Sequence, residues 1–196
     1  MTTEHQTAAK QRIFDAALGL FAHKGYAAVG VREIARQAGV NISMINYYFG
    51  EKAGILKAII NECYDRYLKA IKPVGDEDLP LEDHVRKMVR TVVTFFRENT
   101  ELAIVAFDVI PLDIPEVMEL KHRWVNGIRE SMVNFRRKLG IDPRDPLQES
   151  IGPTILVAII LNHFQGKYAA EQHPQYKEYT AAMDETFYDQ YAANLS

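Results

Sequence analysis

The side chains whose chemistry asks for an explanation gather in residues 31–52, VREIARQAGVNISMINYYFGEK. Asn41, Ser43 and Asn46 bring amides and a hydroxyl, Tyr47 and Tyr48 phenols, and Lys52 an ammonium, with Ile42 and Met44 set among them. An amide that donates and accepts at once suits the edge of a base, and hydroxyls and cations suit phosphate oxygens. The residue types that perform catalysis or bind metals are scattered elsewhere. His5, His23, His84, His122, His163 and His173 have no partner at metal-ligand spacing on one helix. There is no glycine-rich phosphate loop, nucleophile elbow or zincin motif. Asp76 and Asp78 fall in a solvated loop, and Cys63 reads as a small buried residue with nothing near it to activate a thiol. No catalytic group, metal site or cofactor is therefore expected.

The elements that must position the polar cluster follow from local rules. Residues 31–38 form a short helix whose inward side is Val31, Ile34, Ala35 and Ala38. Gly39 stands where the chain must turn left-handed, a conformation that rejects a Cβ. Val40 plugs the corner, and Asn41 is a good N-cap for a second short helix whose Ile45, Tyr48 and Phe49 point back to the same core. Ile42, Ser43, Met44, Asn46 and Tyr47 are then turned outward. Two helices joined by such a glycine turn make a helix-turn-helix.

Helix-period apolar spacing runs through most of the remaining chain and strand patterns are nearly absent, so the fold class is all-α, with about nine helices. The first helix spans about 7–24, with Ile13, Ala16, Ala17, Leu20 and Phe21 as its stripe and Gly25 as its stop. Further helices are expected over 52–71, ended by Pro73 and Gly75, over 81–98, and over 101–109, closed by Pro111. Asp113 and Glu116 have capping-box spacing before a helix reaching Leu139, which Gly140 ends. Asp145, Pro146 and Gln148 open a helix to about 170 with a kink at Pro153, and a last helix spans 176–194.

The motif Ile13…Ala16-Ala17…Leu20-Phe21…Gly25-Tyr26, Val31-Arg32-Glu33-Ile34-Ala35…Ala38-Gly39-Val40, Ile45-Asn46-Tyr47-Tyr48-Phe49-Gly50-Glu51-Lys52 resembles the TetR family of regulators over the first third of the chain. The resemblance implies a DNA-binding domain over 7–67, including the start of a connecting fourth helix, and an effector-binding and dimerising helical domain over 68–196. It implies that residues 41–44 approach base edges and that Asn46 is the best single candidate for direct readout. Tyr47 and Lys52 match phosphate-binding positions, Tyr48 matches one that packs or touches the backbone, and Arg32 is counted with this set. Gly30 departs from the family, which often has Thr or Ser as the cap there. Ile42 and Met44 replace residues that are frequently polar or basic, and contact with thymine methyls is the expectation for both.

Charge agrees with that division. Through Lys52 six basic residues face four acidic ones, a balance of +2, and the chain's net −3 leaves −5 for the remainder. The lone cysteine and an N-terminus without a basic-then-apolar leader point to the cytoplasm, and the longest apolar stretch, 151–161, is too short to span a bilayer. Family analogy places a small-molecule cavity in the body, for which Phe96, Phe107, Trp124, Met132, Asn162 and His163 are the candidate lining residues. It also pairs the last two helices with those of a second copy. The expected function is a ligand-responsive homodimeric repressor on a pseudo-palindromic operator. An activator, a non-switching DNA binder and an all-helical small-molecule carrier are the alternatives.

Overall fold

The computed structural model describes residues 3–107, 114–142, 145–173 and 175. The nine elements among them are all α-helices: α1 (Thr3–Lys24), α2 (Val31–Ala38), α3 (Ile42–Phe49), α4 (Lys52–Gly75), α5 (Leu81–Glu98), α6 (Thr100–Phe107), α7 (Pro115–Ser131), α8 (Val133–Lys138) and α9 (Pro146–Glu171). They form two compact units, Met1–Asp65 with Glu101–Trp124, and Arg66–Thr100 with Val125–Ser196. The boundary at 65/66 lies inside α4. No sequence signal marks the return of 101–124 to the first unit. The expected helix over 176–194, together with Pro111 and Asp113, lies outside the described residues.

In the first unit α1 packs on both α2 and α3, and α2 packs on α3. Ile13, Ala17 and Phe21 of α1 are buried, as are Ile34, Ala35 and Ala38 of α2 and Ile45 of α3. Ala16 and Leu20, expected in the same stripe, are half-buried because they flank its centre line. Each fully buried isoleucine or phenylalanine contributes roughly 1.5–3 kcal/mol by leaving water. The Arg12 side chain donates from Nε to the Ala38 carbonyl at 3.2 Å, satisfying an end group of α2 from α1. Residues 102–106 of α6 are wholly buried, and Trp124 lies edge-on to Phe107 at 4.4 Å and to Tyr64 at 6.0 Å.

In the second unit α5 packs on α9, where Phe96 stacks on Phe164 with centroids 6.0 Å apart. The bounds of α5 are those its sequence predicts. Two other helices differ from expectation. α4 runs through Pro73 to Gly75 instead of ending near Ile71. Its last turn is held from outside: His84, fully buried on α5, sets Nε2 2.6 Å from the Val74 carbonyl, and the Asp76 N–H donates to Lys72 at 3.2 Å beyond the proline. The helix expected to reach Leu139 breaks at Met132 (φ −113°, ψ 15°), separating α7 from α8. Ser131 Oγ donates to the Gly127 carbonyl, and a Cβ on Gly75 would sit 2.9 Å from both the Ser131 carbonyl oxygen and Met132 Sδ. Close approach to that glycine accompanies the break. No helix among the described residues is long and apolar enough to cross a membrane.

Candidate nucleic-acid interface

The turn that presents α3 is built by its own backbone. Gly39 adopts φ 63°, ψ 41°, the left-handed region. Its N–H bonds to the Arg36 carbonyl at 3.3 Å and that of Val40 to Ala35 at 3.0 Å, a pair of bonds that closes a helix on a glycine. At the other end of α2, Gly30 is an N-cap with extended backbone and no side-chain hydrogen bond.

Asn41 caps α3 as its type suggests. Its Oδ1 accepts from the Ser43 N–H at 3.1 Å, and its carbonyl accepts from Met44 N–H at 3.0 Å. Gly50 (φ 75°) ends the helix, its N–H donating to the Asn46 carbonyl at 3.0 Å. Ile45 is fully buried beneath, and Tyr48 and Phe49 are half-buried. Lys10 of α1 lies over the Phe49 ring at 5.9 Å.

The opposite side of α3 is open. Ile42, Ser43, Asn46 and Tyr47 are exposed, Tyr47 to 74%, its ring edge-on to Tyr48 at 4.9 Å. Met44, expected to face outward, is half-buried, since it lies next to Ile45 on the shoulder of the inward stripe. Arg32 is exposed at the second position of α2. A capped, short, exposed helix carrying hydroxyl, amide and phenol groups can lay hydrogen bonds against a regular polar surface such as a duplex groove.

Two residues at the start of α4 are positioned in ways that spacing does not reveal. Lys52, expected at a phosphate, donates from Nζ to the Tyr26 carbonyl at 2.9 Å and the Val29 carbonyl at 3.0 Å, and lies 4.0 Å over the Tyr26 ring. Partial burial holds its ammonium below the usual lysine pKa. Gly54 lies so close to the end of α3 that a Cβ would fall 1.8 Å from the Phe49 carbonyl oxygen. Neither relationship involves sequence neighbours of helical spacing. The tight turn from the end of α3 into the first turn of α4 is what requires a glycine. Near the α1–α2 turn, Lys24 donates to Glu33 at 2.6 Å, which lowers the Glu33 pKa.

Residues 13–59 match the model of the family described as bacterial regulatory proteins, tetR family. Residues 13–59 are the chain's TetR-family segment. Among curated proteins, the Probable HTH-type transcriptional regulator YttP of Bacillus subtilis (strain 168) is 25% identical over 118 residues, covering 59% of this chain and 57% of that one. The HTH-type transcriptional repressor BdcR of Escherichia coli (strain K12) is 35% identical over 78 residues, or 40% of this chain and 34% of BdcR. The chain thus spans less than two thirds of the length of these curated relatives. Among solved structures, FadR from Bacillus subtilis in complex with stearoyl-CoA matches with a TM-score of 0.64 at 18% identity, over 91% of this chain and 95% of that one. That likeness is one of fold. Within the matched segment α2 and α3 are the two helices of the helix-turn-helix.

The six cavity candidates of the body are divided between the two units. Phe107 and Trp124 meet in the first unit. In the second, Phe96 and His163 both touch Phe164, His163 edge-on at 5.3 Å, and Met132 is buried at the α7–α8 break. Asn162 is exposed, because Ile160, His163 and Phe164 set the inward face of α9 and position 162 lies off it. A shallow cavity of about 600 Å³ opens between α4 and α5, lined by Arg66, Lys69, Lys87, Arg90 and Glu98 with Phe95 and Asn99. None of the six candidates borders it. Four cations on two helices have no local sequence signature beyond ordinary surface charge.

Proposed function

We propose that this TetR-family protein is a non-catalytic, sequence-specific DNA-binding transcriptional regulator of the cytoplasm, acting as a homodimeric repressor that responds to a small molecule. The single observation that carries the reading is the exposed, capped helix α3, presented by the left-handed Gly39 turn with Asn46 and Tyr47 outward. In this reading α3 lies in the major groove, with Ile42, Ser43 and Asn46 toward the bases. Arg32 and Tyr47 reach phosphates, and Asn41, Tyr48 and Lys52 support the helix.

The dimer is supported by the outer side of α9, where Ala158, Ile159, Asn162 and Gly166 are exposed in one stripe that pairs an exposed apolar side chain with two small residues. A helix surfaced in this way can approach a copy of itself closely. Two copies then offer two α3 helices to two half-sites. For the effector we propose a long-chain acyl-CoA, the class bound by the structural neighbour FadR. The second unit offers an aromatic interior at Phe96 and Phe164, and separately a cationic cavity at Arg66, Lys69, Lys87 and Arg90 suited to phosphates. Release of DNA requires the ligand to prefer the conformation that does not bind operator.

The test is a mobility-shift titration of the full chain on the palindromes beside its own gene, with and without stearoyl-CoA. Salt-sensitive, sequence-dependent binding that stearoyl-CoA relieves is expected, with CoA alone or stearate alone less effective. Equal binding to every duplex would refute specific regulation. Indifference to stearoyl-CoA would remove the acyl-CoA assignment and leave the DNA-binding reading standing.

A further inference from the structure

We infer that α3 reads A·T base pairs in preference to G·C, with Asn46 taking an adenine and Ile42 the methyl group of a thymine one or two steps away. This deepens the DNA-binding reading above and rests on it.

The first ground is what α3 lacks. Its sequence, ISMINYYF, contains neither arginine nor lysine. Guanine is read in the major groove chiefly by a guanidinium or ammonium donating to O6 and N7. The exposed side chains Ile42, Ser43, Asn46 and Tyr47 supply no such cation. The arginines of the motif, Arg32 and Arg36, are on α2, the helix that crosses the backbone in this docking geometry and does not enter the groove.

The second ground is which amide can serve. Pairing with adenine needs both edges of a carboxamide presented together, Nδ2 donating to N7 and Oδ1 accepting from the N6 amino group. Asn41 cannot present them, because its Oδ1 is turned to the Ser43 N–H as the helix cap. Asn46 is exposed, and its side chain makes no hydrogen bond among the described residues.

The third ground is register. Ile42 and Asn46 are four residues apart, on one face of α3 and about 6 Å apart along its axis. Successive bases on a strand rise about 3.4 Å, so the two side chains meet bases one or two steps apart. Ile42 keeps 37% of its surface exposed on that face although it is apolar, which leaves it able to cover a methyl group. Met44 is half-buried and is therefore not assigned a base.

The experiment selects bound duplexes from a random library with the full chain, then replaces single bases in the recovered half-site. Half-sites with adenine and thymine at the α3-facing positions are expected. Replacing the assigned adenine by 7-deazaadenine, which removes only N7, should weaken wild-type binding about tenfold and leave Asn46→Ala unaffected. Replacing the assigned thymine by deoxyuridine, which removes only the methyl, should weaken wild type by a few-fold and leave Ile42→Ala unaffected. Both positions are exposed, so the variants should keep the wild-type circular dichroism. A guanine dominating the α3-facing positions would overturn the inference, as would analogue penalties equal in wild type and variant. Failure to enrich any sequence would overturn the DNA-binding reading itself, a result distinct from enrichment of G·C sites.

Discussion

Lys52 donates to the carbonyl of Tyr26 across 26 residues of chain and rests its ammonium 4.0 Å above the same tyrosine's ring. With the second bond to Val29, this fastens the α1–α2 loop to the first residue of α4. A lysine read from its motif as a phosphate contact is, in this structure, a brace beneath the helix-turn-helix. The two uses predict different behaviour.

For Lys52→Ala we expect a loss of about 1–3 kcal/mol in urea unfolding, since charge-assisted hydrogen bonds are removed and two carbonyls are left to find water. DNA affinity should fall with little change in the slope of log K against log salt. A slope lower by about one unit with unchanged stability would mean that the ammonium spends its charge on a phosphate instead.

Gly54→Ala should be the most damaging single methyl group in the head. The new Cβ would fall 1.8 Å from the Phe49 carbonyl oxygen, so α3 and α4 would have to separate. Overpacking of this kind costs about 1–3 kcal/mol or more. Thermal unfolding and operator affinity should fall together, and a variant with wild-type values of both would show that the helices separate freely.

At Gly39 the penalty has a different origin. Nothing lies within 4 Å of an added Cβ, so Gly39→Ala meets only the intrinsic cost of φ 63° for a residue with a side chain, about 1–2 kcal/mol. Gly39→Asn should cost less, because asparagine tolerates this region better. Equal losses for alanine and asparagine in chemical denaturation would contradict a purely backbone origin.

The second unit carries a pH-dependent tie. Lys138 donates to Asp78 at 2.7 Å and to the Leu79 carbonyl at 2.9 Å, and the hydrogen bond, then the charge, of Lys138 lowers the Asp78 pKa. A carboxyl with a folded pKa below its unfolded one adds stability that is complete above the unfolded value. That stability is lost as pH falls through the folded value. Asp78 is fully exposed, so the effect should be small and weakened by salt. Asp78→Asn should lie slightly below wild type at pH 7, and the two should converge as pH falls below the ordinary aspartate range. A gap that widened toward low pH would reverse the assigned sign.

The helix-turn-helix was readable because every instruction for it lies within a few residues of where it acts. Gly39 supplies the left-handed turn, Asn41 the cap, and Ile34, Ala35 and Ile45 the inward side. The bounds of α5 could be read for the same reason. Lys52, the passage of α4 through Pro73 and the break at Met132 were not readable. Each depends on an atom brought near by folding: the Tyr26 carbonyl, the His84 ring and the backbone beside Gly75. Asn162 shows the same limit in reverse, since helical periodicity orders residues around α9 but only the seating of Ile160 and Phe164 says which side is inward. Turns and caps are decided over a few bonds of one chain. Braces, close approaches and the choice of a buried face are decided by contacts between distant segments, and those exist only once the chain has folded.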